Sequence, residues 1–598
     1  MSSDIQASSV FSDLSAQIES RFNLSHPWAD IHDPSARVAG LTTFNNGIDA
    51  ARQFLRSLLT RHNALVPISL LPPEILARIF HLLVPVELPF SGSRNLGWIK
   101  VTHVCRHWRQ VALDDSSLWA RIWVARTNRK WISKMLARAK SALLDIEFNA
   151  VGRSSPEALL TILSHLSHTR KFCSRNLSLL HFDSVRKICH WEAPALEHFE
   201  LTSTAYPPIT FRHLEENPLF KGHAPRLRTF SLSRVIIPWS LIPRGQLTQL
   251  KIACPDDSKD LYSPGDLNQL IDLLVNCPAL EILALEFCLP SQITEFQLDR
   301  TIHFRHLSHL RLRDPTSRIM NMLKMLKLPP STTLHLDCIA EIISIHNDLE
   351  GPLLPVISAH FQGPSPVEFK SLTVAIHGHR PLSSSLNIIA STSILRNRQI
   401  QISEGDIVGN AELVLSFDRL FNSTDLLGKA CKMLPILNLE FISMSATDIN
   451  DTNINWIELF GCCTNVTTMQ VIGHGASGLV RALTAPTATN AGSGRVRKRD
   501  NKESTTVQPD STVARVHAAI FPNLESLGLT QLNPAKGKHP SSTLFNVLER
   551  GLKQRLAASG AALKFLRISD CDISAMHAKR LQNLVQDFHW DENKVIVD

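Results

Sequence analysis

The chain has 598 residues, 44% of them hydrophobic and 19% charged, with a formal net charge of +8. That length is too great for a single hydrophobic core, and the balance is that of a folded chain rather than a disordered one. So small a charge excess over so long a chain is not a nucleic-acid footprint, so no nucleic acid is expected as a partner.

The eleven cysteines are an odd number without a C-x-x-C pair. They predict buried thiols in an intracellular protein, cytoplasmic or nuclear, rather than a disulfide frame or a zinc module. The amino-terminal MSSDIQASSVFSDLSAQ has neither the basic nor the apolar region of a signal peptide. No run reaches the roughly 18 apolar residues of a membrane span, so no membrane partner is expected.

Residues 1–39 are mixed and polar and read as a weakly ordered tail. Over 40–66, Ile48, Ala51, Leu55, Leu58 and Leu59 recur at helical spacing and predict an amphipathic helix. A compact block follows over 67–124. Pro72 and Pro73 suit a first helical turn, where amide hydrogens lack partners anyway, and Glu74 complements the positive end of the helix dipole. Ile75, Leu76, Ile79, Phe80, Leu82 and Leu83 then cover well over half the helix circumference, more than one neighbouring helix can bury. A second helix is predicted over about Trp98–Leu113, with Val101, Val104, Cys105, Trp108 and Val111 on one face. A third, capped by Ser116, would carry Leu118, Trp119, Ile122 and Trp123. The seven Lys or Arg between Arg121 and Lys140, with no acid among them, read as a solvated helix face.

The block resembles an F-box. LPPEILARIF, VTHVCRHWRQ and a terminal LW match that family's three pieces in order and spacing, over about one tenth of the chain. The segment from Pro85 to Gly97 is longer than in compact F-boxes. The preceding helix and the phrase LLPPEILARIF are also similar to the large F-box group of mushroom-forming fungi. The resemblance implies docking on the Skp adaptor of a cullin–RING ubiquitin ligase. It assigns Leu71, Pro72, Glu74, Ile75, Val104, Cys105 and Trp108 to the adaptor-binding face. It assigns Leu76, Ile79, Phe80, Leu118 and Trp119 to packing within the F-box.

Beyond 125 the pattern changes. APALEHFEL, APRLRTFSL, CPALEILAL and FPNLESLGL share a proline, any residue, a leucine and two more apolar positions. Weaker copies fall at Leu247-Leu250-Ile252, Leu307-Leu310-Leu312, Val466-Met469-Val471 and Leu563-Leu566-Ile568. L-x-x-L-x-L is the strand core of a leucine-rich repeat. Helical stretches at Leu267–Asn276 and Thr543–Leu556 lie between copies, and LDIEF at Leu144–Phe148 reads as the first strand. The expectation is an α+β chain: a small all-α F-box, then an irregular α/β leucine-rich-repeat-like solenoid of parallel strands over 125–598. Glu197, Arg228, Glu281, Arg311, Glu525 and Arg567 would face solvent for protein recognition. Residues 329–434 show no clear repeat. Residues 486–511 have almost no large apolar side chains and read as a disordered insertion, with a basic cluster at Arg495, Arg497, Lys498 and Arg499.

Gly473, Gly475 and Gly478 form a G-x-G-x-x-G after an expected strand, but no acid follows until Asp500. The glycines therefore read as a repeat turn, with a nucleotide-binding enzyme as the rival. The histidine pairs His165/His168 and His377/His379 lack ligand-spaced partners, so no metal and no cofactor are expected. The chain is expected to be no enzyme but a substrate-recognition adaptor, holding an unidentified protein target. An F-box scaffold working with the Skp adaptor outside a ligase is the alternative.

Overall fold

The computed structural model describes residues 33–89, 96–125, 129–150, 156–211, 218–256, 263–291, 301–340, 350–363, 366–380, 383–394, 411–420, 422–447, 454–473, 475–484, 520–531, 541–559, 562–571 and 573–591, with a few positions between 12 and 20. Most of the expected tail, the 486–511 insertion and its basic cluster lie outside the described residues. The chain divides into two compact units, Met1–Ala158 and Leu159–Asp598.

In the first unit, α1 runs over Pro34–Ala64, its amino end capped by the Asp33 carboxylate, and buries none of its residues. It starts six residues earlier than the stripe implied, because the Asp33-Pro34 pair is itself a start signal. α2 spans Pro73–Leu83, with Pro72 at the cap position and its carbonyl accepting from the Ile75 and Leu76 amides. The expected second helix is two elements. A 3-10 turn covers Gly97–His103, then Cys105 adopts an extended backbone and its sulfur accepts from Trp108 N, opening α3 over Arg106–Asp114. That break turns Val104 away from the face it would share with Val101: Val101 is buried and Val104 is exposed.

The third element also departs from expectation. Asp115, not Ser116, caps a 3-10 turn over Ser116–Trp119. Ile122 and Trp123 then lie in a strand, β1, over Arg121–Ala125. Alternating Ile122 and Val124 suit a pleated surface better than a helix. α4 follows over Arg129–Ala139 and buries Ile132, Met135, Leu136 and Ala139. β2, over Leu144–Asn149, pairs in parallel with β1. LDIEF is therefore the second strand of the chain. The first unit runs to Ala158, past the expected domain boundary after Val124.

The second unit carries a large, mostly parallel sheet. Strands pair in chain order from Thr169–Leu177 through His198–Ser203, Thr229–Ser233, Gln249–Ala253, Ile282–Glu286, His309–Pro315 and Thr333–Ile339. The stretch that showed no repeat holds the irregularity. Ser371–Arg380 and Ser383–Ser391 form an antiparallel hairpin, and Leu413–Leu420 inserts between that hairpin and Thr333–Ile339. Parallel pairing resumes from Ser371–Arg380 through Phe441–Thr447, Thr468–Gly473, Ser526–Thr530, Leu563–Ser569 and Val585–Trp590.

Every leucine, phenylalanine, valine or methionine anchor of the eight L-x-x-L-x-L copies is buried. Anchors of successive copies stand in register, Phe199 on Phe230, Phe230 on Leu250, Leu250 on Leu283 and Leu283 on Leu310. The rings of Phe172, Phe199 and Phe230 stack at 5.7 and 5.6 Å. The position after each first anchor joins a backbone ladder below the strands: Arg228 N donates to Glu197 O, Thr248 N to Arg228 O, and Glu281 N to Thr248 O. Helices fill the connections, including Leu267–Val275, capped by Asp266, and Ser541–Ser559. From Thr316–Met325 to Ala575–Gln582 each helix packs on the next.

Candidate functional site

The first unit holds the residues matched to the F-box pieces. Its core is aromatic: Phe80 and Trp108 lie 5.2 Å apart, and Trp98 meets Trp119 edge to face at 4.9 Å. The Trp119 indole N–H donates to the Ala112 carbonyl at 2.7 Å, satisfying its polar atom. The Arg138 guanidinium of α4 lies 4.3 Å above the Trp119 ring. Burial, with the nearby Arg109 charge, lowers its pKa. The basic run at 121–140 is thus amphipathic, one face closing over the core.

Leu76, Phe80, Leu118 and Trp119 are fully buried, where packing residues belong. Ile79 is the departure at 36% exposure. It lies four residues after Ile75, and so on the same helical face. Ile75 is 47% and Leu82 69% exposed, so α2 presents an uncovered apolar stripe of Ile75, Ile79 and Leu82. Among the residues assigned to adaptor binding, Pro72, Glu74 and Val104 are exposed. Leu71, Cys105 and Trp108 are half-buried. Trp108 therefore serves two surfaces, with part of its ring against Phe80 and part open. Leu70, just before α2, is also exposed and was not singled out in the sequence, because a single leucine in a turn carries no periodicity.

A polar tie joins α2 to the Ser116–Trp119 turn. His81 Nε2 lies 3.0 Å from Asp115 Oδ2 and 3.1 Å from Ser117 Oγ, and the Ser117 hydroxyl donates to Asp115. Burial pushes the Asp115 carboxyl up, but hydrogen bonds from Ser117 and His81 outweigh it and hold the pKa below its usual value. Sequence reading missed this cluster, since His81 and Asp115 are far apart in the chain. The loop from Pro85 is pinned where it returns: Trp98 N donates to Glu87 O at 2.8 Å, and Lys100 pairs with Glu87.

The G-x-G-x-x-G serves packing. Gly473 ends its strand at φ 76°. A Cβ on Gly478 would lie 2.5 Å from Ile454 O and 3.0 Å from the Trp456 ring. The Trp456 N–H donates to Gly475 O at 2.9 Å. No group of three or more His, Cys, Asp or Glu among the described residues is placed to hold a metal ion. No described helix is long and apolar enough to cross a membrane.

Of the recognition residues expected on the sheet, Arg228, Glu281, Glu525 and Arg567 are exposed and Glu197 is half-exposed. Arg311 is not open to solvent in the same way: its side chain is only 14% exposed, lying between Glu286 and Asp337.

Comparison with protein families matches residues 68–131 to the F-box-like family. The match ends at Trp131, inside α4, so the matched segment includes β1 and the first turn of the helix that carries Arg138. No curated protein matches the chain.

Proposed function

We propose that this protein is a substrate-recognition adaptor of a Skp–cullin–RING ubiquitin ligase. The F-box-like domain at 68–131 suggests a Skp-binding role. The observation that carries the reading is the uncovered apolar stripe of α2, together with exposed Val104 and half-open Trp108, on a unit whose aromatic core is already complete. Burying the open parts of Ile75, Ile79, Leu82 and Val104 under a partner would contribute roughly 1 kcal/mol each. A small domain that leaves such side chains in water gains most by covering them with another chain. The second unit, read as a leucine-rich-repeat-like solenoid, then holds a protein target, and the chain itself performs no chemistry. Ligation follows from proximity, because tethering raises the target's effective concentration beside the conjugating enzyme.

The test is a pull-down with purified Skp adaptor. Ile75→Glu with Val104→Glu changes two exposed positions and is expected to weaken binding at least about tenfold while the far-ultraviolet circular dichroism stays unchanged. Trp108→Ala is the weaker choice, since Trp108 also packs on Phe80. Undiminished capture of the double variant sinks the docking assignment.

A further inference from the structure

We propose that α1 pairs antiparallel with α1 of a second copy of this chain, about a two-fold axis between Asp49 and Ala50. The seam is Leu41, Phe44, Ile48, Ala51, Leu55 and Leu58. It shares no residue with the surface assigned to adaptor binding, so it stands apart from the adaptor reading.

α1 is 31 residues long and buries none of them. Its sequence is poorly suited to holding that length alone. Gly40, Gly47 and the β-branched Val38, Thr42, Thr43 and Ile48 all lower helix propensity. Helices in water are held chiefly by the packing of an apolar face. In α1 the seam residues follow one another at alternating steps of three and four. That is the spacing of a coiled-coil seam, narrower than the stripe of a helix lying on a globular core. Val38, Leu41, Ile48, Phe54, Leu55 and Leu59 are each between 45% and 63% exposed. Those six side chains leave roughly 600 Å² open on each helix, so a pair would bury about 1,200 Å², the lower end of the range for specific interfaces.

The apolar pattern is its own mirror image. Reversed about the Asp49-Ala50 bond, Leu41 falls on Leu58, Phe44 on Leu55 and Ile48 on Ala51. Antiparallel helices meet in such layers, so every seam residue finds an apolar side chain of the second copy. The flanks agree. Val38 comes beside the second copy's Leu59, and Phe54 comes over its Gly47, where no side chain stands in the way. Parallel pairing would instead set Phe44 on Phe44, leave a gap at Ala51 on Ala51 and oppose Arg37 to Arg37.

Charge selects the same direction. Residues 38–48 carry none, whereas Arg52, Arg56 and Arg61 lie in the carboxyl half with no acid after Asp49. Asp49 itself pairs with Arg52 at 3.2 Å. Antiparallel pairing lays each basic half along an uncharged half and opposes the two helix dipoles. Parallel pairing gathers both sets of arginines side by side. The uncharged amino half also argues against a membrane surface, which basic residues along the whole polar face would favour.

The test is sedimentation velocity on the full chain from about 1 to 200 µM, where a reversible dimer with a Kd of roughly 1 to 50 µM is expected. Ile48→Glu with Leu55→Glu should weaken it at least about thirtyfold. Asn46→Glu with Gln53→Glu adds the same charge on the far face of the helix and should change it less than about threefold. Near-ultraviolet circular dichroism should be the same for all, since no tryptophan lies in α1. Asn45→Glu reads the direction. It sets an acid beside the second copy's Arg52 in the antiparallel pair, twice by symmetry, and should tighten the dimer at least about threefold. In a parallel pair it would face Gly40 and change nothing. A monomer throughout the range, or equal loss in the far-face variant, overturns the pairing. Indifference to Asn45→Glu overturns the antiparallel register. Capture of a monomeric chain on vesicles of phosphatidylserine and phosphatidylcholine, lost with Ile48→Glu and Leu55→Glu, assigns the face to a membrane and overturns the second copy.

Discussion

Asp115 shows how one carboxylate can hold two pieces of a small domain together. It caps the Ser116–Trp119 turn through the Ser117 amide and hydroxyl, and it holds His81 of α2 at 3.0 Å. Its folded pKa is depressed, so its stabilisation is fully present above the unfolded value near 3.9 and is lost as pH falls through the folded one. Acid should therefore lower the melting temperature of the first unit below about pH 4. Asp115→Asn keeps the shape but loses the charge, and should flatten that acid limb while costing about 1 kcal/mol at pH 7. A melting profile from pH 3 to 7 checks it; an acid limb unchanged in the variant overturns the assignment. Cys462 offers a contrast of environment at one chain step. It is exposed, whereas Cys463 is buried, and burial with the adjacent Cys462 pushes the Cys463 thiol up. Buried Cys431 is likewise pushed up to about 12.

At the level of elements, the P-x-L turn is fastened by the helix that follows it. In FPNLESLGL the turn's carbonyls converge on one side chain of the following helix. Arg555 Nη1 donates to Phe521 O at 2.6 Å, and Nη2 donates to Pro522 O and Leu524 O at 2.7 and 3.0 Å. Burial lowers the pKa of this guanidinium, while the three carbonyls accept from its two terminal nitrogens. Arg555→Ala should destabilise the second unit by about 3 kcal/mol, since it strands buried carbonyls as well as removing packing. Arg555→Lys should recover only part of the loss, because an ammonium cannot span the fork of acceptors. Urea denaturation followed by tryptophan fluorescence measures both. A loss under about 1 kcal/mol for the alanine variant contradicts the clamp. Gly97 is the matching device in the first unit. It sits at φ 55°, and a Cβ there would fall 2.5 to 2.6 Å from the backbone of Glu87, Leu88 and Pro89.

For the whole molecule, the division at Ala158 and Leu159 has a measurable consequence. The two units differ in the kind of contact that holds them. In the first, short helices close on an aromatic core; in the second, buried anchors stand in long-range parallel pairing. Parallel pairing must close long loops before it gains anything, so it is cooperative over many strands and slow to form. Equilibrium unfolding should therefore depart from two-state behaviour, with the Asp115→Asn change moving one transition and the Arg555→Ala change the other. Coincident transitions by near- and far-ultraviolet circular dichroism, shifted together by either variant, would contradict this.

The residues in chain order suffice for the parts whose signal is local. Pro72-Pro73 marked the start of α2 because a missing amide hydrogen costs nothing there. The L-x-x-L-x-L anchors predicted buried strands because the two-residue pleat sends alternate side chains to one face. The order of LPPEIL, VCRHW and LW pointed to the family matched over 68–131. What depends on distant partners emerges once the chain is folded. Cys105 breaks the expected second helix because its sulfur caps a new one, which leaves Val104 exposed. Ile79 looked like core by its residue type, yet its place on the turn of α2 leaves it open beside Ile75 and Leu82. Arg311 looked like one of six similar surface charges. Register across the sheet sets it between Glu286 and Asp337, and spacing along one strand cannot encode which residue stands next to it on another.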